Sequence, residues 1–154
     1  MDSGAVGDRD TLRSAGFGLR AGVAFDGNTT SIAAARAFAA GFLEEARTRH
    51  GVAVPDRAVA DAQLVVSELV TNACKYAPGP CAVNLEIRGP LLEITAWDTE
   101  TTLPMARAAE PGRIGQHGLE IIFALCEGFD VRRDPVGKRI TALVALGPVG
   151  PFDL

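Results

Sequence analysis

Residues 56–77 decide the fold; they read Asp56-Arg-Ala-Val-Ala-Asp-Ala-Gln-Leu-Val-Val-Ser-Glu-Leu-Val-Thr-Asn-Ala-Cys-Lys-Tyr-Ala77. Apolar residues recur three and four positions apart, as on one face of an α-helix. They are Ala62, Val65, Val66, Leu69, Ala73 and Tyr76. Asp56 is the expected N-cap, and Pro78-Gly-Pro80 ends the helix because proline blocks its continuation. The stretch therefore predicts a core helix over residues 56–76.

A line of polar residues borders this apolar stripe. Glu68, Asn72 and Lys75 return to nearly the same side of the helix, with Thr71 beside them. A carboxylate can accept a proton, an Asn carbonyl can join the oxygen shell of Mg²⁺, and a lysine can neutralise phosphate charge. The three side chains could together serve a nucleoside triphosphate. The alternative, which spacing alone favours, is a solvated helix face with an ordinary Glu–Lys arrangement.

The rest of the chain predicts a single α+β domain. The expected elements are a strand over 19–25, a helix from 28–31 to 49, strands over 81–87 and 91–97, a helix over 118–127, and strands over 129–133 and 139–146. This order suits an antiparallel or mixed sheet with its helices on one face. Residues 1–18 are expected to form a flexible tail, 19–148 the domain and 149–154 a C-terminal tail.

Composition argues against several classes of protein. The 154 residues are 47% hydrophobic and 22% charged, as in a globular domain rather than a disordered or membrane protein. A net charge of −4 with scattered Lys and Arg argues against nucleic acid as a direct partner. Without a signal sequence or membrane span, a cytoplasmic location is expected. Cys74, Cys81 and Cys126 lack the spacing of a zinc site and are expected to be small buried residues.

Two further groups of residues could bind a nucleotide. In Gly112-Arg-Ile-Gly-Gln-His-Gly118-Leu-Glu-Ile121, glycines lead into a predicted helix, whose N–H groups could bind phosphate; a hinge with a helix cap is the alternative. His117 there is more often a local hydrogen-bonding residue than a ligand. Asp98, at the end of an apolar strand, could accept a hydrogen bond from an exocyclic amine such as that of adenine, or could be an ordinary turn residue.

The order of these motifs resembles the GHKL ATPase superfamily. Glu68-Leu-Val-Thr-Asn-Ala73 is similar to its N box, and Asp98 and Gly115-Gln-His-Gly118 are similar to parts of its two glycine boxes. Val66-Ser-Glu-Leu-Val-Thr-Asn-Ala73 looks most like the serine-kinase anti-sigma factors of actinobacterial type. The resemblance covers about residues 25–146. It implies the Bergerat ATP-binding fold, a two-layer α/β sandwich whose mixed, mostly antiparallel sheet carries its helices on one face.

The resemblance also implies a role for each motif residue. Asn72 would bind Mg²⁺, Asp98 would bind adenine, and Glu68 would be the catalytic base of a serine/threonine-protein kinase. The remaining residues implied to contact ATP are Lys75, Gly115, His117, Gly118 and Leu119. The implied partners are a sigma factor and a STAS-domain anti-sigma antagonist, which would be the phosphorylated substrate, and the relatives commonly act as dimers.

Departures from the family pattern leave other functions open. Asp98-Thr-Glu-Thr-Thr102 stands where larger members have Asp-x-Gly-x-Gly, and Gly137-Lys-Arg139 stands where the closing strand often has a Gly-Thr pair. A non-catalytic regulatory module, with or without bound nucleotide, is therefore the second interpretation. The third is a detached histidine-kinase catalytic domain, although neither His50 nor His117 lies in the sequence of a phosphoacceptor helix.

Overall fold

The computed structural model describes residues 13–14, 19–28, 30–76, 79–98, 120, 122, 124–134 and 137–148. Its strands are β1 (Arg13–Ser14), β2 (Leu19–Phe25), β3 (Cys81–Arg88), β4 (Leu91–Asp98), β5 (Gly128–Asp134) and β6 (Gly137–Ala145). They form one six-stranded sheet in the order β1-β2-β3-β4-β6-β5. Every neighbouring pair of these described strands is antiparallel, which agrees with the predicted fold class.

Two long helices cover one face of the sheet. They are α1 (Thr30–His50) and α2 (Asp56–Tyr76). The helices pack against each other, α1 also contacts β2 and β3, and α2 contacts β3, β4 and β6. All the apolar residues predicted for the α2 stripe whose side chains are described are buried: Ala62, Val65, Val66, Leu69 and Ala73. The predicted bounds of α2 are confirmed at both ends.

The strands alternate between a buried and a more accessible face because successive side chains of a strand point to opposite sides. In β3, Val83 and Leu85 are buried beneath the helices, whereas Asn84 between them is exposed. Cross-strand neighbours continue the buried face, since Val83 pairs with Ala96 and Leu85 with Ile94. The hydrophobic core therefore lies between the helices and one side of the sheet.

Among the described strands, two differences from the expected elements exceed a shift of one residue. Arg13 and Ser14 lie in the predicted flexible tail, yet they pair with Arg20 and Leu19. A two-residue strand is too short to show a hydrophobic period, so the sequence pattern could not indicate it. The closing strand begins at Gly137 rather than Arg139, which places Lys138 inside the sheet.

The connections bring several element ends to one end of the sheet. Only residues 77–80 separate the last residue of α2 from Cys81, the first residue of β3. Cys81 pairs with Phe25 at the end of β2, and Asp98 at the end of β4 pairs with Lys138 near the start of β6. We call this the Asp98 end of the sheet, defined by Phe25, Cys81, Asp98 and Lys138. The C-terminal turns of α2 therefore arrive at the Asp98 end.

The turn before α1 also lies at the Asp98 end. Gly27 has a φ of 91°, and a Cβ atom added to it would collide with the backbone carbonyl oxygen of Gly79. Asn28 then caps the helix, whose start lies within the expected residues 28–31: its Oδ1 accepts a hydrogen bond from the Thr30 N–H at 2.9 Å. A close backbone contact thus joins the start of α1 to the segment between α2 and β3.

The described cysteine side chains differ in their burial. Cys81 is buried in the core, as expected, whereas Cys126 is only half-buried, so the prediction that it is buried is wrong. Desolvation is the main reason that the pKa of the Cys126 thiol is raised to about 12, and the charges of Asp61 and Glu127 add to it. The side chain of Cys74 is outside the described part of the structure.

Candidate functional site

The buried amide of Asn72 is the first feature of the site. Asn72 is 4% exposed, and its Nδ2 has no hydrogen-bond partner among the described residues. An unsatisfied buried polar group costs about 1–3 kcal/mol, so natural proteins rarely keep one without a use. Asn72 belongs to the last turns of α2, which reach the Asp98 end of the sheet. Asn72 thus presents a buried polar group that is available to a ligand.

The amide can serve either of two ligands. In one orientation its Nδ2–H donates to an oxygen such as that of a phosphate, and a half-turn of the terminal torsion presents Oδ1 instead. Mg²⁺ prefers oxygen ligands of this kind and usually takes one or two from the protein while it keeps substrate phosphates and water. The orphaned amide therefore fits the magnesium role predicted for Asn72.

Glu68 lies one helical turn before Asn72 on the same side of α2. Its side chain is half-buried, and it makes no hydrogen bond or ion pair with any other residue that the structure describes. The neighbouring Thr71 hydroxyl donates to the carbonyl oxygen of Ser67 at 2.7 Å, so it satisfies the helix backbone. Glu68 and Asn72 thus form the part of the polar line that the structure describes. The side chain of Lys75 is not among the described side chains.

Asp98 forms a buried ion pair that the sequence did not predict. Its Oδ2 lies 3.5 Å from the Lys138 Nζ, and the two side chains are 6% and 2% exposed. Alternate residues of a strand point to the same face of the sheet, so Lys138 lies on the same face as Ile140 and Ala142, which are buried beneath the helices. For the same reason, Asp98 lies on the same face as Ile94 and Ala96. The pair therefore lies on the helix-covered face, at the end of the sheet that α2 reaches.

A signal for this pair was present in the sequence. Lys138 stands two residues before Ile140, so extending the alternation of β6 backwards by one step would have placed the lysine on the core face. The expected start of the closing strand at Arg139 left Lys138 outside the predicted sheet. An antiparallel register between β4 and β6 then makes Asp98 its direct neighbour.

The predicted phosphate-binding residues Gly115, His117, Gly118 and Leu119 lie outside the described residues. The segment that follows them is helical at Glu120, Ile122, Ala124 and Leu125. Ile122 is fully buried in the core, as the helical pattern predicted. The phosphate role of residues 115–119 stays a prediction.

The other face of the sheet carries an open groove of about 530 Å³. Its charged residues are Glu86 on β3, Glu93 on β4, Asp130 and Arg132 on β5, and Arg139 on β6. Asp130 pairs with Arg132 at 2.8 Å, so carboxylates and guanidinium groups are interspersed along the groove. The groove is on the opposite side of the sheet from the Asp98–Lys138 pair.

None of the helices in the described ranges combines the length and the apolar character needed to cross a bilayer.

Comparison with known proteins identifies the family to which this chain belongs. The chain belongs to the histidine kinase-like ATPase domain family, whose model matches residues 26–144. The match begins at the turn before α1 and ends in β6, so it includes Glu68, Asn72, Asp98 and Lys138. ATP is the ligand that this family implies. No curated protein matches the chain.

Two solved structures are similar to parts of this chain. The RsbU and RsbW domains of Rv1364c from Mycobacterium tuberculosis are 18% identical, with a TM-score of 0.62, over 86% of this chain and 34% of that one. The histidine kinase domain of the blue-light activated kinase EL346 from Erythrobacter litoralis is 20% identical, with a TM-score of 0.47, over 72% and 60%. The first likeness shows the fold alone, and this chain spans about a third of that chain's length.

Proposed function

We propose that this protein binds ATP with Mg²⁺ at the Asp98 end of the sheet and is both an anti-sigma factor and a serine/threonine-protein kinase. The observation that carries the nucleotide site is the buried, unpartnered amide of Asn72 on the helix that reaches this end. Asp98 supports it, because a buried carboxylate at the same end can accept a hydrogen bond from the amine of adenine.

The side chains have separate roles in the proposed reaction. Asn72 holds Mg²⁺, which when bound neutralises negative charge on the phosphates. Glu68 accepts the proton of a Ser or Thr hydroxyl on the substrate protein. The hydroxyl oxygen then forms a bond to the γ-phosphorus while the bond from that phosphorus to ADP breaks. Glu68 is suited to this role because it is half-buried, lies one turn from Asn72 and has no described partner that occupies its carboxylate.

The remaining ATP contacts follow the family pattern. Lys75 and the segment that contains Gly115, His117, Gly118 and Leu119 bind the phosphates in this proposal. Backbone N–H groups at a glycine-rich junction before a helix are suited to anions. Helical residues immediately after this segment support such a junction.

The proposed partners are a sigma factor and a STAS-domain anti-sigma antagonist, in the cytoplasm. This part of the proposal rests on the resemblance of Val66–Ala73 to the serine-kinase anti-sigma factors. A homodimer is also proposed on the basis of the same resemblance.

Thermal unfolding with and without Mg²⁺-ATP tests the nucleotide site. A ligand present at about a hundred times its dissociation constant adds about 2.7 kcal/mol to the free energy of unfolding. We expect a stabilising shift in wild type and none in Asn72→Ala, whose fold should be retained. An unchanged affinity in Asn72→Ala would remove the metal role from this residue.

Phosphotransfer tests the catalytic role of Glu68. Glu68→Ala should keep the ATP-induced shift and lose transfer to a STAS-domain protein, because the substitution removes the base without removing Asn72. A variant that transfers phosphate at the wild-type rate would exclude Glu68 as the base.

A regulatory module without catalysis is the second candidate, and the Asp98–Lys138 pair favours it. Lys138 supplies Asp98 with a cation from within the protein. Asp98 therefore has less need of the adenine ring of a nucleotide as a partner. In this function a partner is regulated by contact alone. The absence of any shift in unfolding temperature at millimolar ATP would favour it over the kinase.

A further inference from the structure

The Asp98–Lys138 pair is poorly explained as a device for stability. Lysine is seldom fully buried, and taking two charges out of water costs several kcal/mol per ion. A strong charge-assisted N–H···O bond is about 2.7–2.9 Å long, whereas these atoms are 3.5 Å apart. The attraction between these two atoms is therefore weaker than in an ion pair of optimal length. A pair of this kind suits a site where a third group approaches both charges.

The pair presents two complementary functions next to each other. The carboxylate of Asp98 is an acceptor with room for several donors, and the ammonium of Lys138 carries three N–H donors and no acceptor. The two residues are direct cross-strand partners, and both side chains are on the face covered by α2. A ring edge with one donor and one acceptor on neighbouring atoms can therefore contact both.

Two kinds of purine have such an edge. Adenine has an amine donor on C6 and an acceptor at N1; hypoxanthine and guanine have a carbonyl acceptor on C6 and a donor at N1. A carboxylate alone accepts from the adenine amine but repels the C6 carbonyl of the others. An ammonium beside it donates to that carbonyl while the carboxylate accepts from N1–H.

We infer that Lys138 determines base specificity, and that it lets the site accept 6-oxopurine nucleotides as well as ATP. The inference rests on the proposed nucleotide site. Lys138 donates to N1 of adenine or to the C6 oxygen of hypoxanthine and guanine, and Asp98 accepts from the neighbouring N–H in each case.

ATP and ITP are the sharpest pair of probes, because their bases differ only at C6 and N1. Isothermal titration of the wild-type protein with each nucleotide and Mg²⁺ should give an ITP dissociation constant within about thirtyfold of that for ATP, since sites built to hydrogen-bond one edge reject the other by far more. Lys138→Met should raise this ITP-to-ATP ratio by about tenfold or more, because the C6 carbonyl then faces the carboxylate alone.

Arg139→Met is the matched control. It removes the same charge from the adjacent residue of β6, whose side chain lies on the opposite face, in the groove. It should leave the ratio unchanged. An unchanged ratio in Lys138→Met, or an equal change in Arg139→Met, would overturn the inference.

Lys138→Met leaves Asp98 buried without its cation, which is destabilising. Circular dichroism therefore accompanies the titration. If this variant does not fold, the wild-type ratio decides: a value above about thirtyfold overturns the inference and a lower one supports it. Wild type that binds ATP but rejects ITP refutes this inference alone, whereas wild type that binds neither also refutes the nucleotide site.

Discussion

Replacing Asn72 by leucine should stabilise the nucleotide-free protein and at the same time remove its nucleotide site. The amide is 4% exposed and its Nδ2 has no described partner. Its desolvation costs about 1–3 kcal/mol, and an apolar side chain of similar size does not incur that cost. We expect the free energy of unfolding to rise by about 2 kcal/mol, which for a domain of this size raises Tm by roughly 4–8 °C.

The assay is thermal and urea unfolding of nucleotide-free protein, followed by circular dichroism. Asn84→Leu is the matched control because Asn84 is exposed on β3, so its substitution should change stability by no more than about 0.5 kcal/mol. Mg²⁺-ATP should stabilise wild type and Asn84→Leu but not Asn72→Leu. A less stable Asn72→Leu would refute the reasoning, because it would mean that the amide is satisfied within the protein.

Three further predictions concern the scaffold. Leu69→Ala should lower the free energy of unfolding by about 2–5 kcal/mol in urea titration, because Leu69 is 2% exposed in the core beside the polar line of α2; a loss below 1 kcal/mol would contradict that packing. Gly27→Ala should destabilise more than Gly51→Ala: both glycines have positive φ, but only at Gly27 does the added Cβ meet the backbone of Gly79. Equal losses would show that the contact with Gly79 is absent. Cys126 should react slowly with iodoacetamide at pH 8 in folded protein, since its pKa is raised to about 12 and the thiolate is the nucleophile. Folding favours the neutral Cys126 thiol, so the thiol contributes to the free energy of unfolding below pH 9, and this contribution is lost as the pH rises towards 12. Cys126→Ala should lack this part of the pH dependence of stability.

Local patterns were enough to predict most of the elements. The three-and-four spacing of apolar residues predicted α2 with its bounds, because a helix of this length needs one continuous apolar face to pack. Alternation and the Arg88-Gly-Pro90 turn predicted β3 and β4 to within a residue at each end. The two-residue β1 could not be predicted, since its pairing depends on β2 rather than on its own sequence.

The sequence also placed Glu68 and Asn72 on one side of one helix, since their spacing alone determines it. It predicted Asn72 as a ligand, but not that the amide is buried and unpartnered, which depends on how closely α2 packs on the sheet. The strand expected over 139–146 excludes Lys138, which the sequence shows only as part of a departure from the family pattern.

What the sequence by itself determined is therefore local: which segments are helices or strands, which faces are apolar, and which polar residues share a face. Only the tertiary structure decided that Asp98 and Lys138 meet. They are 40 positions apart in the chain, and their contact follows from the register between β4 and β6. Register depends on the packing of both strands beneath α2, so no short stretch of sequence contains the information that buries these two charges together.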